Sequence, residues 1–310
     1  MSQIIVTAGA LGGLAIAARA VTATGDRVLM ENPTYPNAIA TLQHAGCRIA
    51  GVDVDLNGWD IGSISAALRQ VAPRAVYLIP DFQHPTGALM PAEQRAELGA
   101  ALRASRTAAL IDESMVDVPL EQQTMPAPLG CFVADSITIG SASKSFWGGL
   151  RIGWLRVPDS RSAAVIAARL SLDLGAPVLE QLVLLQLLES ENEIMTWRRA
   201  QLRASRDALA AALRAELPSW TVTPPRGGLA IWAELPEPVS STLTSVAERH
   251  GVLLASGPSF APEGGLERYL RLPYALPQAS LVEAVRRLRL AWNETLTNGT
   301  RYPGRRALVA

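Results

Sequence analysis

Gly140-Ser141-Ala142-Ser143-Lys144-Ser145-Phe146-Trp147-Gly148-Gly149-Leu150-Arg151 holds the single lysine of a 310-residue chain, in which the other 27 of 28 basic residues are arginine. Arginine offers charge and a fork of donors, but its guanidinium stays protonated and cannot act as a nucleophile. A lysine amine can lose its proton in a suitable site and condense with an aldehyde. Lys144 is therefore a candidate reactive amine, set against the plainer reading of a surface lysine left in an arginine-biased sequence. The serines before it and Arg151 after it favour chemistry, because hydroxyls and a guanidinium fork are the donors that a dianionic phosphate requires.

Outward from this stretch, short β-branched runs alternate with helical ones. Strands are predicted over 27–31, 48–54, 75–80, 108–112, 136–140 and 152–157, with amphipathic helices such as 61–71 and 91–105 between them. Strand and helix in repetition predict an α/β fold, a mostly parallel sheet with helices on both faces, whose ligands gather at the carboxyl ends of strands. The expected large domain covers 1–177 and is followed by connecting helices over 178–217. Past Pro224-Pro225 the pattern changes to a smaller α+β domain, 218–297. It has strands expected at 229–234, 252–254 and 269–272 and helices at 241–250 and 280–293. A tail is expected over 298–310.

A net charge of zero gives no overall field to recruit nucleic acid or an anionic membrane. The apolar segment 172–188 is interrupted by Asp173, Gly175, Pro177, Glu180 and Gln181, which argues against a membrane span. Cys47 and Cys131 fit neither a zinc spacing nor a disulfide framework, and the first residues lack the pattern of a signal peptide. A cytoplasmic protein without a metal centre is the expectation. His44 and His250 stand in no motif and are read as structural; Arg286, Arg287 and Arg289 are read as the solvated face of the last helix.

Three further stretches carry candidate chemistry. Thr7-Ala8-Gly9-Ala10-Leu11-Gly12-Gly13-Leu14 follows a short strand and opens a helix. Its small residues leave backbone N–H groups free to meet an anion at the positive end of that helix, or simply serve close packing. Asp112 ends an apolar strand, where a buried carboxylate needs a partner; a helix cap is the plainer use. Glu31-Asn32-Pro33-Thr34-Tyr35-Pro36 ends another strand and puts an aromatic residue between two prolines.

Taken in order, these stretches resemble fold-type I pyridoxal-phosphate enzymes, the aminotransferase superfamily, over nearly the whole chain. The resemblance implies that Lys144 forms the internal aldimine with pyridoxal 5′-phosphate. It implies that Ser141, Arg151 and the backbone of Gly9, Ala10 and Leu11 hold the cofactor phosphate. Tyr35 would stack on the pyridine ring, and Asp112 would pair with its protonated nitrogen and keep the ring an electron sink. Pro225-Arg226-Gly227-Gly228 and Gly257-Pro258-Ser259-Phe260 are similar to turns of the family's small domain. Arg271, in Tyr269-Leu270-Arg271-Leu272-Pro273-Tyr274, matches the arginine that clamps the substrate α-carboxylate. The implied substrates are an amino acid and a keto acid, and the implied assembly is a homodimer.

Two departures concern one cofactor atom. Pro80-Asp81-Phe82-Gln83-His84-Pro85-Thr86-Gly87 resembles the family's Asn-Pro-Thr-Gly turn, with His84 where asparagine normally donates to the phenolic oxygen. Histidine can donate there too, but its titration is expected to make the site pH-sensitive. Ser114 and Met115 stand where the family commonly places a tyrosine aimed at the same oxygen. The nearest flavour is the aminotransferase-like half of MocR-type regulators, a branch of the GntR group. There a winged-helix DNA-binding domain comes first; none precedes Ile4 here, nor do the segments that in the superfamily help build the dimer. The sequence is thus naturally short or part of something longer, with a weakened dimer interface expected and no direct contact to nucleic acid. Three readings remain: a pyridoxal-phosphate enzyme with aminotransfer as its default reaction, a non-catalytic effector-binding domain, and a degenerate scaffold. Intact Lys144, Asp112 and Arg151 argue against the last.

Overall fold

The computed structural model describes residues 2–298. In chain order it contains β1 (Ser2–Thr7), α1 (Gly9–Val21), β2 (Arg27–Asn32), α2 (Pro36–His44), β3 (Arg48–Asp55), β4 (Gly58–Trp59), α3 (Ile61–Val71), β5 (Ala75–Leu78), α4 (Ala92–Ser105), β6 (Ala108–Asp112), β7 (Ile137–Ser141), α5 (Ala142–Ser145), β8 (Gly153–Pro158) and α6 (Asp159–Leu170). The eight strands form one sheet in the order β1-β8-β7-β6-β5-β2-β3-β4. Pairs among β7, β6, β5, β2 and β3 are parallel, whereas β8 joins both β7 and β1 antiparallel.

The central strands are apolar because both faces are covered. Along β5, Tyr77 points into the core shared with α1, α2 and α6, while Val76 and Leu78 point into the core shared with α3 and α4. This is the two-residue alternation of a strand applied to two dry faces. The chain order reverses where β5 meets β2, so the loops after β2 and β5 diverge and leave a crevice above the carboxyl ends of β2, β5, β6 and β7.

The chain continues through α7 (Val178–Glu189), α8 (Glu191–Glu216), β9 (Ala230–Glu234), α9 (Ser240–Arg249), β10 (Ala255–Ser256), β11 (Tyr269–Pro273) and α10 (Gln278–Asn298). A second, antiparallel sheet runs β10-β11-β9, and its core with α8, α9 and α10 also takes in Val118 and Leu120 from the first part of the chain. The arginines at 286, 287 and 289 pair with Glu283 and Glu216 on the outside of α10.

One expected strand is displaced. The 252–254 stretch alternates as a strand should, with Val252 and Leu254 buried and Leu253 exposed. Its backbone, however, closes α9: Gly251, at φ +74°, donates from its N–H to Glu248 O, and Val252 N–H donates to Ala247 O at 2.9 Å. These are the two bonds of a Schellman cap, so the chain pairs with β11 only from Ala255 onward. The tail expected over 298–310 lies outside the described residues from 299 onward. Among the described residues no helix is long and apolar enough to cross a membrane.

Candidate active site

A cavity of about 390 Å³ opens above the reversal in strand order. Ala10, Leu11, Tyr35, His84, Asp112, Ser141, Lys144, Arg151 and Arg271 all line it, although they come from separate stretches of chain. Gly9 sits at its edge. A Cβ on Gly9 would lie 2.6 Å from Arg151 Nη2, and its φ of +76° also disfavours a side chain. Glycine there lets the guanidinium close on the first turn of α1, a thirteen-residue helix whose leading N–H groups face outward. Charge and dipole thus add at one end of the cavity.

Lys144 lies one turn past β7, on the short α5 whose N-cap is Ser141. Burial lowers its pKa first, and the Arg271 and Arg151 cations lower it further against the opposing pull of Asp112. The amine is therefore easier to deprotonate than an exposed lysine. Ser141 Oγ accepts from Ser143 N–H at 3.2 Å. The neighbouring Ser143 Oγ also lines the cavity and is buried without a partner in the chain.

Asp112, at the end of β6, is held through both oxygens. Tyr77 O–H donates to Oδ2 at 2.5 Å, and Ser114 N–H donates to Oδ1 at 2.8 Å. Burial and the Asp112 charge push the Tyr77 phenol well above its ordinary value of 10.0, which keeps it a donor. Tyr77 was not singled out by the sequence. Its signal was faint: a phenol inside the apolar β5 run must find a hydrogen-bond partner.

On the opposite wall Tyr35 is the N-cap of α2, and its hydroxyl accepts from Asn37 Nδ2 at 2.9 Å. The His84 ring meets Tyr35 edge-on at 5.4 Å and Phe260 at 5.6 Å. Burial, and then the cations Arg271 and Lys144, push His84 well below 6.5. These effects favour the neutral ring and run against the expectation that His84 titrates near neutrality. Arg271 projects from β11, half-buried, with its buried Nε unpaired. Burial lowers its pKa too, yet a guanidinium remains charged at neutral pH.

These residues fit a phosphorylated pyridine aldehyde. His84 Nδ1, Ser114 Oγ, Ser143 Oγ and Arg271 Nε are buried polar atoms on the cavity wall that no protein group satisfies, and such atoms are costly unless a ligand or water pairs with them. The cavity has an anion-binding end at Arg151, a carboxylate at Asp112, an amine at Lys144 and a second cation at Arg271, spaced around a centre that Leu14 and Ile79 also line.

Fold and site together define a protein of the pyridoxal-phosphate fold-type I class. The family description "Aminotransferase class I and II" matches residues 1–288, and the chain belongs to that family. The 2-aminoadipate transaminase of Thermus thermophilus is 30% identical over 295 residues, which span 92% of this chain and 74% of that protein. The crystal structure of LysN, the alpha-aminoadipate aminotransferase of Thermus thermophilus, complexed with N-(5'-phosphopyridoxyl)-L-leucine, superposes with a TM-score of 0.89 at 30% identity. It covers 96% of this chain and 78% of that one. The transcriptional regulator TauR of Rhodobacter capsulatus is 29% identical over 293 residues, 93% of this chain but 60% of the regulator. Pyridoxal phosphate is the cofactor of this family, and aminotransfer is the activity that membership carries.

Proposed function

We propose that Lys144 carries pyridoxal 5′-phosphate covalently and that the chain moves an amino group from an amino acid to a keto acid. The observation that carries the assignment is that the sole lysine of the sequence lines the cavity that gathers Asp112, Arg151 and Arg271. When bound, the cofactor supplies an electron sink for negative charge at the substrate α-carbon.

The protein's own residues divide the remaining work. Arg151, Ser141 and the N–H groups of Gly9, Ala10 and Leu11 hold the phosphate, with Ser143 as an added donor. Asp112, oriented by Tyr77 and Ser114, would accept from the ring nitrogen of the cofactor. Tyr35 would cover its ring, and a neutral His84 would donate an N–H to its phenolic oxygen. Arg271 orients the substrate through its α-carboxylate, bidentate as guanidinium geometry allows. Lys144 Nζ would be placed to take the α-proton of a bound substrate, and its lowered pKa favours the basic form. Leu14, Ile79 and Met115 add apolar lining to this centre.

The same reading includes a homodimer, and α7 supports it. No residue of this helix is buried, and Val178, Leu179, Leu182, Val183, Leu185 and Leu188 are all exposed. Leu184 and Leu187 pack against Ala142, Leu150 and Ile152, but the rest of this apolar helix is uncovered, which marks an association surface, and a second copy is the occupant proposed. A monomer that keeps full activity at high dilution would rule this out. Cys47 and Cys131 are free thiols, in keeping with a reducing cytoplasm.

The likeness to TauR and the substitutions at His84, Ser114 and Met115 favour a second reading, an effector-binding domain that binds cofactor without turning over. The deciding experiment adds cofactor to the protein, reduces it with borohydride, and repeats this with Lys144→Ala. The expected result is a visible band and one pyridoxyl adduct, both absent from the variant; a band retained by Lys144→Ala refutes the assignment. Steady turnover of an amino acid with a keto acid then separates enzyme from effector domain.

A further inference from the structure

Glu31, in β2, is fully buried, and burial pushes its carboxyl up to about 7 even though N–H donors favour the ionised form. An apolar residue would fill this position in β2 without that cost. Both oxygens are engaged. Oε1 accepts from Trp59 Nε1 at 2.7 Å and from Ile79 N–H at 3.1 Å, and Oε2 accepts from Gln83 Nε2 at 3.1 Å.

The Gln83 amide spreads this contact in two directions. Its Nε2 also donates to Pro33 O at 2.7 Å, and its Oε1 accepts from Thr86 N–H at 3.1 Å and Thr86 Oγ1 at 2.8 Å. Two donors and two acceptors are all used, so the amide has one orientation. Pro33 stands two residues before Tyr35, and Thr86 two residues after His84. Ile79, whose N–H meets Glu31, lines the cavity itself. A carboxylate that touches none of the cavity thus holds the three segments that form one of its walls.

We propose that Glu31 is a positioning residue that, through Gln83, fixes the Tyr35 and His84 loops as one wall of the cofactor pocket. Its bearing on the cofactor rests on the function proposed above; its hold on the loops does not. If Glu31 only satisfied the Trp59 indole inside the fold, its loss would alter stability and leave the pocket unchanged.

Glu31→Gln separates these cases. A glutamine keeps the shape and can still accept from Trp59 and Ile79 through its oxygen, but its NH₂ then faces the NH₂ of Gln83, donor against donor. Gln83→Met, which leaves Glu31 and its other donors in place, breaks the same link from the far side and serves also if Glu31→Gln does not fold. Two readouts apply: amide hydrogen exchange of the cofactor-free protein, and the dissociation constant for pyridoxal phosphate. Each variant is expected to speed exchange at Thr34, Tyr35, Thr86 and Gly87 while β6 and β7 amides stay as they are. Each should also weaken cofactor binding about tenfold, the size of one lost hydrogen bond to a charged group. The double variant should be no worse than Gln83→Met alone, which already removes the Glu31 link along with the Pro33 and Thr86 bonds. Unchanged exchange at those four amides, or fully additive losses, overturns the proposal. A wild-type protein that binds no cofactor would count against the functional reading alone, with the exchange pattern still deciding the role of Glu31.

Discussion

The floor of the cavity and its loop-built wall both hold buried polar groups, by different means. On the floor, β6 and β7 end in Asp112 and Ser141, which already find partners within the protein: Tyr77 and Ser114 for one, Ser143 for the other. On the wall, His84 Nδ1 is buried and unsatisfied, while behind it the Glu31–Gln83 link is complete. The floor therefore fixes charge at defined points, as electrostatic preorganisation requires. The wall fixes backbone position and leaves its side-chain donors for a ligand. Substitutions on the floor should alter chemistry and binding strongly; those facing the cavity from the wall should act more weakly and through the cofactor's electronic state.

The largest effect after loss of Lys144 is expected at Arg271, the cation across the cavity. Arg271→Ala should weaken amino acid binding by about 1.5–3 kcal/mol, the range for a hydrogen-bonded charged group, with the cofactor dissociation constant unchanged. The measurement is a titration of the visible spectrum with an amino acid and with the matching amine. Equal losses for both would remove the carboxylate role and blur the contrast between floor and wall.

A smaller effect is expected at Tyr77, beneath the floor. Tyr77→Phe leaves one buried oxygen of Asp112 without its 2.5 Å donor. Stability should fall by about 1 kcal/mol, a melting shift of about 1.5 °C for a chain of this size. The cofactor spectrum should shift as Asp112 becomes a stronger acceptor for the ring nitrogen. A melting shift with an unchanged spectrum would reduce Tyr77 to a packing residue.

The contrast also explains what was legible in the sequence. β5 and β6 could be read because continuous apolar runs bounded by turn residues leave little choice of structure. Lys144, Arg151 and Asp112 stood out by chemical type and setting, whereas the expectation for Arg271 came from the family resemblance alone. Tyr77, Glu31 and Gln83 could not be read in this way. Tyr77 reaches Asp112 across 35 residues of sequence, and Gln83 reaches Glu31 across 52. Both contacts depend on β5 lying between β6 and β2, an order that hydrophobic periodicity does not encode. The 252–254 stretch shows the complementary failure. Its alternation is real, but the N–H of Val252 is spent on capping α9, a competition that side-chain pattern cannot reveal.

The smallest effect, and the one that most sharpens the comparison, is expected at His84. Its ring packs between Tyr35 and Phe260, with Arg271 and Lys144 as the nearby cations. Burial and both positive charges favour the neutral imidazole, so its folded pKa lies well below the 6.5 of an unfolded histidine. The stability gained by holding it neutral is present above pH 6.5 and lost as pH falls toward the depressed value, where the folded state resists the proton that the unfolded state takes up. Near and above neutrality the imidazole has no charge to change. Any inflection of the cofactor's visible band between about pH 7 and 9 should therefore persist in His84→Asn, which keeps an N–H donor near the same place. The variant should instead flatten the acid limb of the stability curve below pH 6.5, measured by denaturant titration at several pH values. An inflection near neutrality that vanishes in His84→Asn would show the ring gaining a proton beside two cations, and would make the wall, not the floor, the pH-sensitive part of this site.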